Sequence, residues 1–162
     1  MFKRMLTTRS LTLSAMIAAL YAVLTLVLAP ISYGNLQCRV SEAMTLLPMI
    51  LPQSIPGLFV GCLIANIYTG SVLDIIFGSL ATLLAAIGTY ALRKKPLLAA
   101  ACPVVANGVI VGLVLSVSYG LPLLLTMIEV AVGEIGAVAI GFAIWAVLKK
   151  TALKDLDLSK FQ

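Results

Sequence analysis

Residues 11–29 and 97–117 contain no charged side chain. At helical rise, runs of that length reach about 28–32 Å, the thickness of a bilayer's hydrocarbon core. Two further stretches, 72–92 and 122–148, are as long; the first carries only Asp74 and the second only Glu129 and Glu134. A soluble fold cannot cover so many long apolar faces. Only 10% of the 162 residues are charged, where a soluble domain has about a quarter. Disorder fails for the opposite reason, because this much apolar surface demands burial. What remains is an all-α integral membrane protein, read as a single transmembrane domain over residues 1–150 with a polar tail at 151–162. The chain has no room for a soluble ATPase or a nucleic-acid module.

The stretch 40–69 is the ambiguous one, because Pro48, Pro52 and Pro56 interrupt it and proline breaks helix interiors. Charge placement decides between one kinked span and two short ones. Ten of the basic residues fall in three clusters: Lys3, Arg4 and Arg9; Arg93, Lys94 and Lys95; Lys149, Lys150, Lys154 and Lys160. The positive-inside rule wants all three clusters on the cytoplasmic side. That requires an even number of crossings between them, which two short spans at 40–52 and 55–69 supply. The expectation is therefore six spans, at 11–29, 40–52, 55–69, 72–92, 97–117 and 122–148, with both termini cytoplasmic and Arg39 alone outside. The run 11–29 exceeds the core of a typical signal peptide, about 7–15 residues, and is read as a retained span. Short, proline-interrupted spans point to a ligand site in transporters.

Ionisable groups at mid-membrane cost about 2.5–3.5 kcal/mol each even on the gentler scales, so each asks for a reason. Threaded on six spans, Arg39, Glu42, Asn66, Asp74, Asn107, Glu129 and Glu134 all fall in the outer half or the middle of the bilayer, with Gln37 in the loop above. They are candidates for one cavity open to the outside. Structural roles compete for several of them. Arg39 and Glu42, spaced i, i+3, are placed to pair with each other. Asp74 suits the N-terminus of its helix. Asn66 and Asn107 suit interhelical hydrogen bonding. Glu129 and Glu134 have no basic residue within their own span. With Arg39 counted, Glu42, Glu129 and Glu134 still leave two uncompensated negative charges, so either some are protonated by desolvation or the site awaits a cationic, donor-rich ligand.

Other chemistry is missing. The chain has no His, no phosphate-binding loop, no nucleophile elbow and no zinc-protease helix motif. Cys38, Cys62 and Cys102 have no metal-site or disulfide spacing. No catalytic or metal-ligating set is expected. Small residues recur at helix-packing spacing: Ala15 with Ala19, Ala18 with Ala22, Gly57 with Gly61, Ala81 with Ala85, Gly108 with Gly112 and Ala137 with Gly141. They let helix backbones approach, within the chain or against a partner.

Several long runs, in order, carry a family resemblance. They are Ala29-Pro-Ile-Ser-Tyr-Gly-Asn-Leu-Gln-Cys-Arg-Val-Ser-Glu-Ala-Met-Thr-Leu-Leu-Pro48, Ile55-Pro-Gly-Leu-Phe-Val-Gly-Cys-Leu-Ile-Ala-Asn66, Leu73-Asp-Ile-Ile-Phe-Gly-Ser-Leu-Ala-Thr-Leu-Leu-Ala-Ala86, Asn107-Gly-Val-Ile-Val-Gly112 and Val132-Gly-Glu134. Over about residues 11–148 the chain resembles the QueT family. It departs at Cys38, where an aromatic residue is expected between Gln37 and Arg39. The resemblance implies the S component of an energy-coupling factor (ECF) transporter: a six-helix protein of a bacterial plasma membrane that captures a vitamin-like substrate outside. It has no cofactor of its own and works with a transmembrane T component and two cytoplasmic ATPases that hydrolyse the ATP. The implied ligand is a queuosine precursor, a 7-deazaguanine such as the 7-aminomethyl or 7-cyano compound. Ala15, Ala18, Ala19 and Ala22 resemble the stripe that docks such a component on its T component. An S component for another small polar vitamin, and a stand-alone channel or membrane enzyme, are the alternatives. Within the leading reading, Glu134 or Glu129 is expected on the guanidine-like edge of the base. Asn107 and Asn66 would orient the ring, Glu42 or Asp74 would meet the exocyclic amine, and Arg39 and Gln37 would lie over the mouth.

Overall fold

The long apolar runs become long helices. The computed structural model describes residues 7–33 and 38–155, with the side chains of the last helix described as far as residue 147. Helix α1 (Thr8–Val27) starts at Thr7, whose hydroxyl accepts from the Ser10 N–H, and a one-turn helix α2 (Ala29–Ser32) follows it. A 3-10 helix covers Val40–Met49. Then come α3 (Ser54–Ile67), a π turn (Asp74–Gly78) that runs straight into α4 (Ser79–Ala91), α5 (Pro96–Tyr119) and α6 (Leu123–Asp155). No strand occurs among the described residues. Lys95-Pro96 ends the preceding turn and opens α5 with proline in its first turn, where its missing N–H has no partner to lose. Gly120, at φ +66, ends α5 in the left-handed conformation that side chains disfavour.

Four of these helices are long and apolar enough to cross a membrane: Thr8–Val27, Asp74–Ala91, Pro96–Tyr119 and Leu123–Val147. They match the expected spans 11–29, 72–92, 97–117 and 122–148 to within a few residues. The last helix continues to Asp155, past the expected boundary of a separate tail. The segment 40–69 does break in two. Its second half is the short apolar helix α3, about 21 Å long at helical rise. Its first half, 40–52, departs from an ordinary helix: Val40–Met49 is wound as a 3-10 helix with Pro48 inside it. Pro48 has no N–H to give to an i−4 carbonyl. The tighter winding, at about 2.0 Å per residue, stretches ten residues to about 20 Å.

That 3-10 helix is the centre of the bundle. It packs against α1, α3, α4, α5 and α6 alike. Irregular backbone inside a membrane is tolerated where protein surrounds it, and here the four long helices and the shorter α3 do so. Around it α1 lies on α3, α4 sits between α3 and α5, and α5 lies on α6. Several contacts are backbone on backbone. A Cβ at Gly61 would stand 2.7 Å from the Ala18 carbonyl oxygen, and one at Gly112 2.7 Å from Met127 Cα. A Cβ at Gly141 would collide with the Ala43 carbonyl of the 3-10 helix. The small-residue pairs therefore serve packing inside this chain.

The α1 stripe divides accordingly. Ala18 and Ala22 are buried in the α1–α3 contact, and Ala15 and Ala19 are exposed. Of the four alanines expected to dock a partner, Ala15 and Ala19 thus lie on the outside of α1 and Ala18 and Ala22 on the inside. Ala18 faces Gly61 and the Ser14 carbonyl faces Gly57, because helices can approach this closely only where a small residue leaves room. The outer faces of the bundle carry Leu11, Met16, Leu20, Val23 and Val27 on α1 and comparable residues on α5 and α6, an arrangement suited to lipid.

Candidate substrate-binding site

The buried position of the 3-10 helix places Glu42, in its first turn, inside the protein at 1% exposure. The Tyr21 hydroxyl from α1 and the Thr82 hydroxyl from α4 both donate to Glu42 Oε1, the latter at 3.1 Å. One carboxylate oxygen is thus held by two donors, and the other, Oε2, has no partner. On the opposite wall, Asn107 of α5 donates its amide N–H to Glu134 Oε1 of α6 at 3.0 Å. The same amide lies within hydrogen-bonding reach of Glu42. An amide must turn its nitrogen toward carboxylates, since its oxygen would be repelled. That leaves Asn107 Oδ1 and Glu134 Oε2 buried and unpartnered as well. Three unpartnered acceptor atoms thus sit on three elements that pack together, with no cation bonded to either carboxylate among the described residues. Leaving such groups unpaired costs about 1–3 kcal/mol each, more for a charge.

Arg39, Asn66 and Asp74 form a different constellation. Arg39 bonds Asp74 Oδ2 at 3.4 Å and Asn66 Oδ1 at 3.0 Å. The Asn66 amide in turn donates to the Asp74 carbonyl at 3.1 Å and the Ser79 hydroxyl at 3.3 Å. The guanidinium also lies 5.4 Å from the centroid of the Tyr33 ring. This is a correction to the sequence reading on three counts. The partner of Arg39 is Asp74, 35 residues away, and not Glu42 at i+3; Glu42 points into the bundle, where Tyr21 and Thr82 hold it. Asp74 makes no side-chain cap at its helix start, because its carboxylate faces Arg39. Arg39 itself is buried rather than lying over a mouth.

Toward the end of the bundle where α2 and α3 finish and α6 begins lies a cavity of about 740 Å³. Tyr33, Tyr68 and Tyr119 contribute aromatic surface, and Tyr33 and Tyr68 stack at 5.9 Å. Of the expected site residues, Asp74 and Glu129 line it; Glu134, Asn107, Glu42, Asn66 and Arg39 do not. Along the helices, Glu134 is five residues beyond Glu129 on α6, and Asn107 is seven residues before Val114, an α5 residue of the cavity wall. The carboxylate cluster is therefore about 7–10 Å deeper than the cavity. Gln37 lies outside the described residues. Cys38 is half-buried and unpaired in a disulfide.

Sequence reasoning missed Tyr21 and Thr82, the two residues that hold Glu42. Their signal was available: each is a hydroxyl in the middle of an apolar span, as unusual in its place as Asn107. It also missed Tyr33, Tyr68 and Tyr119, which stand at helix ends where tyrosine is common in any membrane protein.

Comparison with known proteins follows the same line. Over 71 residues the chain is 39% identical to the "Queuosine precursor transporter QueT" of Lactococcus lactis subsp. cremoris strain MG1363. The aligned stretch covers 43% of this chain and 42% of that relative, so it spans less than half the length of either. No solved structure matches the chain. The profile of the QueT transporter family matches residues 11–150, nearly the whole length, and the chain belongs to that family.

Proposed function

We propose that this chain is the substrate-capturing S component of an ECF-type importer and that it binds a queuosine precursor of the 7-deazaguanine class. The observation that carries the reading is the set of buried, unpartnered acceptors at Glu42 Oε2, Asn107 Oδ1 and Glu134 Oε2. A ligand that satisfies three acceptors must be rich in donors. The guanidine-like edge of a 7-deazaguanine supplies a ring N–H and an exocyclic amine side by side, which a carboxylate accepts as it accepts an arginine fork. Glu134 would take that pair of bonds, with Glu42 and Asn107 taking the remaining N–H groups. Tyr21 and Thr82 would keep Glu42 in the rotamer that presents Oε2. Arg39, Asn66 and Asp74 would shape the site without touching the base.

The same reading takes the 3-10 helix and α3 as two short crossings, which makes six spans with cytoplasmic termini. The T component would dock on the face of α1 that shows Ala15 and Ala19, and two partner ATPases would drive uptake from the outside of a bacterial plasma membrane. Reporter fusions at residues 1 and 162 test the topology; the reading expects both on the cytoplasmic side. Calorimetric titration of the purified chain tests the ligand. Saturable binding of a 7-deazaguanine, at least about tenfold weaker in a Glu134→Gln chain, is expected, and binding of another vitamin in its place would transfer the chain to a different S-component specificity.

A further inference from the structure

We propose that the cavity bounded by Tyr33, Tyr68, Tyr119 and Glu129 is an outer subsite selective for cations, and that Glu129 reads an ammonium carried on the bound ring. The inference rests on the deazaguanine reading above and adds which member of that class the site prefers.

Charge in the cavity comes first. Two carboxylates line it. Asp74 is already neutralised by Arg39. Glu129, half-buried on α6, makes no hydrogen bond or ion pair among the described residues. The cavity therefore carries one negative charge that nothing in its described wall balances, in surroundings of low dielectric that strengthen its pull. The aromatic wall acts in the same sense, because the faces of tyrosine rings attract cations. Arg39 is an instance within the chain: its planar guanidinium lies 5.4 Å from the Tyr33 ring. A neutral arm that carries no donor gains nothing from Glu129, whereas an ammonium gains a charge-assisted hydrogen bond.

Position comes second. Glu129 stands five residues before Glu134 on one helix, about 7–8 Å nearer the cavity. The substituent at position 7 of a deazaguanine leaves the five-membered ring on the side away from the guanidine-like edge. A base whose edge meets Glu134 and Glu42 thus directs its 7-substituent back toward Glu129. The two carboxylates of α6, which no basic residue of their span accompanies, then have separate tasks: the deep one reads the ring and the outer one reads the arm.

The 7-aminomethyl and 7-cyano compounds share the ring and edge and differ in the charge of the arm. Titration of the purified full chain with each tests the inference. The wild-type chain is expected to bind the aminomethyl form about ten- to a hundredfold more tightly, the range of a hydrogen bond to a charged group. Glu129→Gln, which keeps the shape and removes the charge, is expected to abolish that preference and leave the cyano affinity within twofold of wild type; that retained affinity also shows the variant folded. Equal binding of both forms by the wild type overturns the subsite and leaves the deazaguanine reading standing. So does a preference that survives Glu129→Gln, or a Glu129→Gln chain that loses both forms alike. If the wild type binds neither form, the deazaguanine reading fails and this inference falls with it.

Discussion

Two acidic regions of this bundle are built from the same materials and solved in opposite ways. Around Asp74, a carboxylate carried by a π turn meets Arg39 from the start of the 3-10 helix, with Asn66 bridging them. Around Glu42 and Glu134, two carboxylates share one neighbouring amide, with no cation bonded to either among the described residues. The first region pairs its two charges with each other and fastens the 3-10 helix to α3 and α4, although Arg39 Nε and Asp74 Oδ1 are left without a hydrogen-bond partner. The second holds its carboxylates in place with Tyr21, Thr82 and Asn107 and still leaves an acceptor on each element unused. A buried charge with its partner in the chain has a structural task, and a buried charge anchored but unpaired has a ligand to meet.

The contrast can be broken most forcefully at Asp74. Replacing it with Ala leaves the Arg39 guanidinium buried and unpaired, and loss of one partner of a buried pair costs about 3–5 kcal/mol. Thermal unfolding in detergent is expected to show that loss. The double change Arg39→Met with Asp74→Leu is expected to recover most of it, since a buried pair replaced by apolar groups is often neutral. At the second region the effect should move from stability to binding. Glu134→Gln is expected to weaken deazaguanine affinity by about 1.5–3 kcal/mol while the unfolding temperature holds or rises, because a repulsion between carboxylates is relieved. Equal stability losses for Asp74→Ala and Glu134→Gln would erase the distinction. Tyr21→Phe sharpens it further: Glu42 loses one of two donors on Oε1, and about a tenfold loss of affinity is expected in the same titration. Thr82→Val removes the other, longer bond, and a neutral-donor contribution of about 0.5–1.5 kcal/mol sets the smallest expected effect.

Much of the architecture was legible because it follows from lengths and charges. Runs such as 11–29 and 97–117 have few ways to fold, and Arg93-Lys94-Lys95 marks a turn without any knowledge of packing. The halving of 40–69 was legible from its prolines, but its 3-10 winding was not. That winding depends on being surrounded by α1, α3, α4, α5 and α6, a tertiary circumstance. The candidate site was legible as a list of polar residues and not as pairings. Arg39 has Glu42 three residues away and Asp74 far along the chain, and local spacing favours the wrong partner; only the position of the π turn beside the 3-10 helix selects the right one. Glu129 and Glu134 read alike in sequence, yet one lines the cavity and the other lies deeper beside Asn107, because five residues turn and advance a helix together. The alanines of α1 show the same limit. Their spacing announced close packing, and only the presence of Gly61 against Ala18, with Gly57 against Ser14 and Ile17, settles which face of α1 is used inside the chain.

The central claim is that the unpaired acceptors of Glu42, Asn107 and Glu134 receive the donor edge of a 7-deazaguanine. Isothermal titration of 7-aminomethyl-7-deazaguanine into the purified wild-type and Glu134→Gln chains tests it most directly. The account predicts one-to-one binding to the wild type and at least a tenfold weaker affinity in the variant. No heat with the wild type, or an affinity in Glu134→Gln within a factor of two of it, would contradict the account.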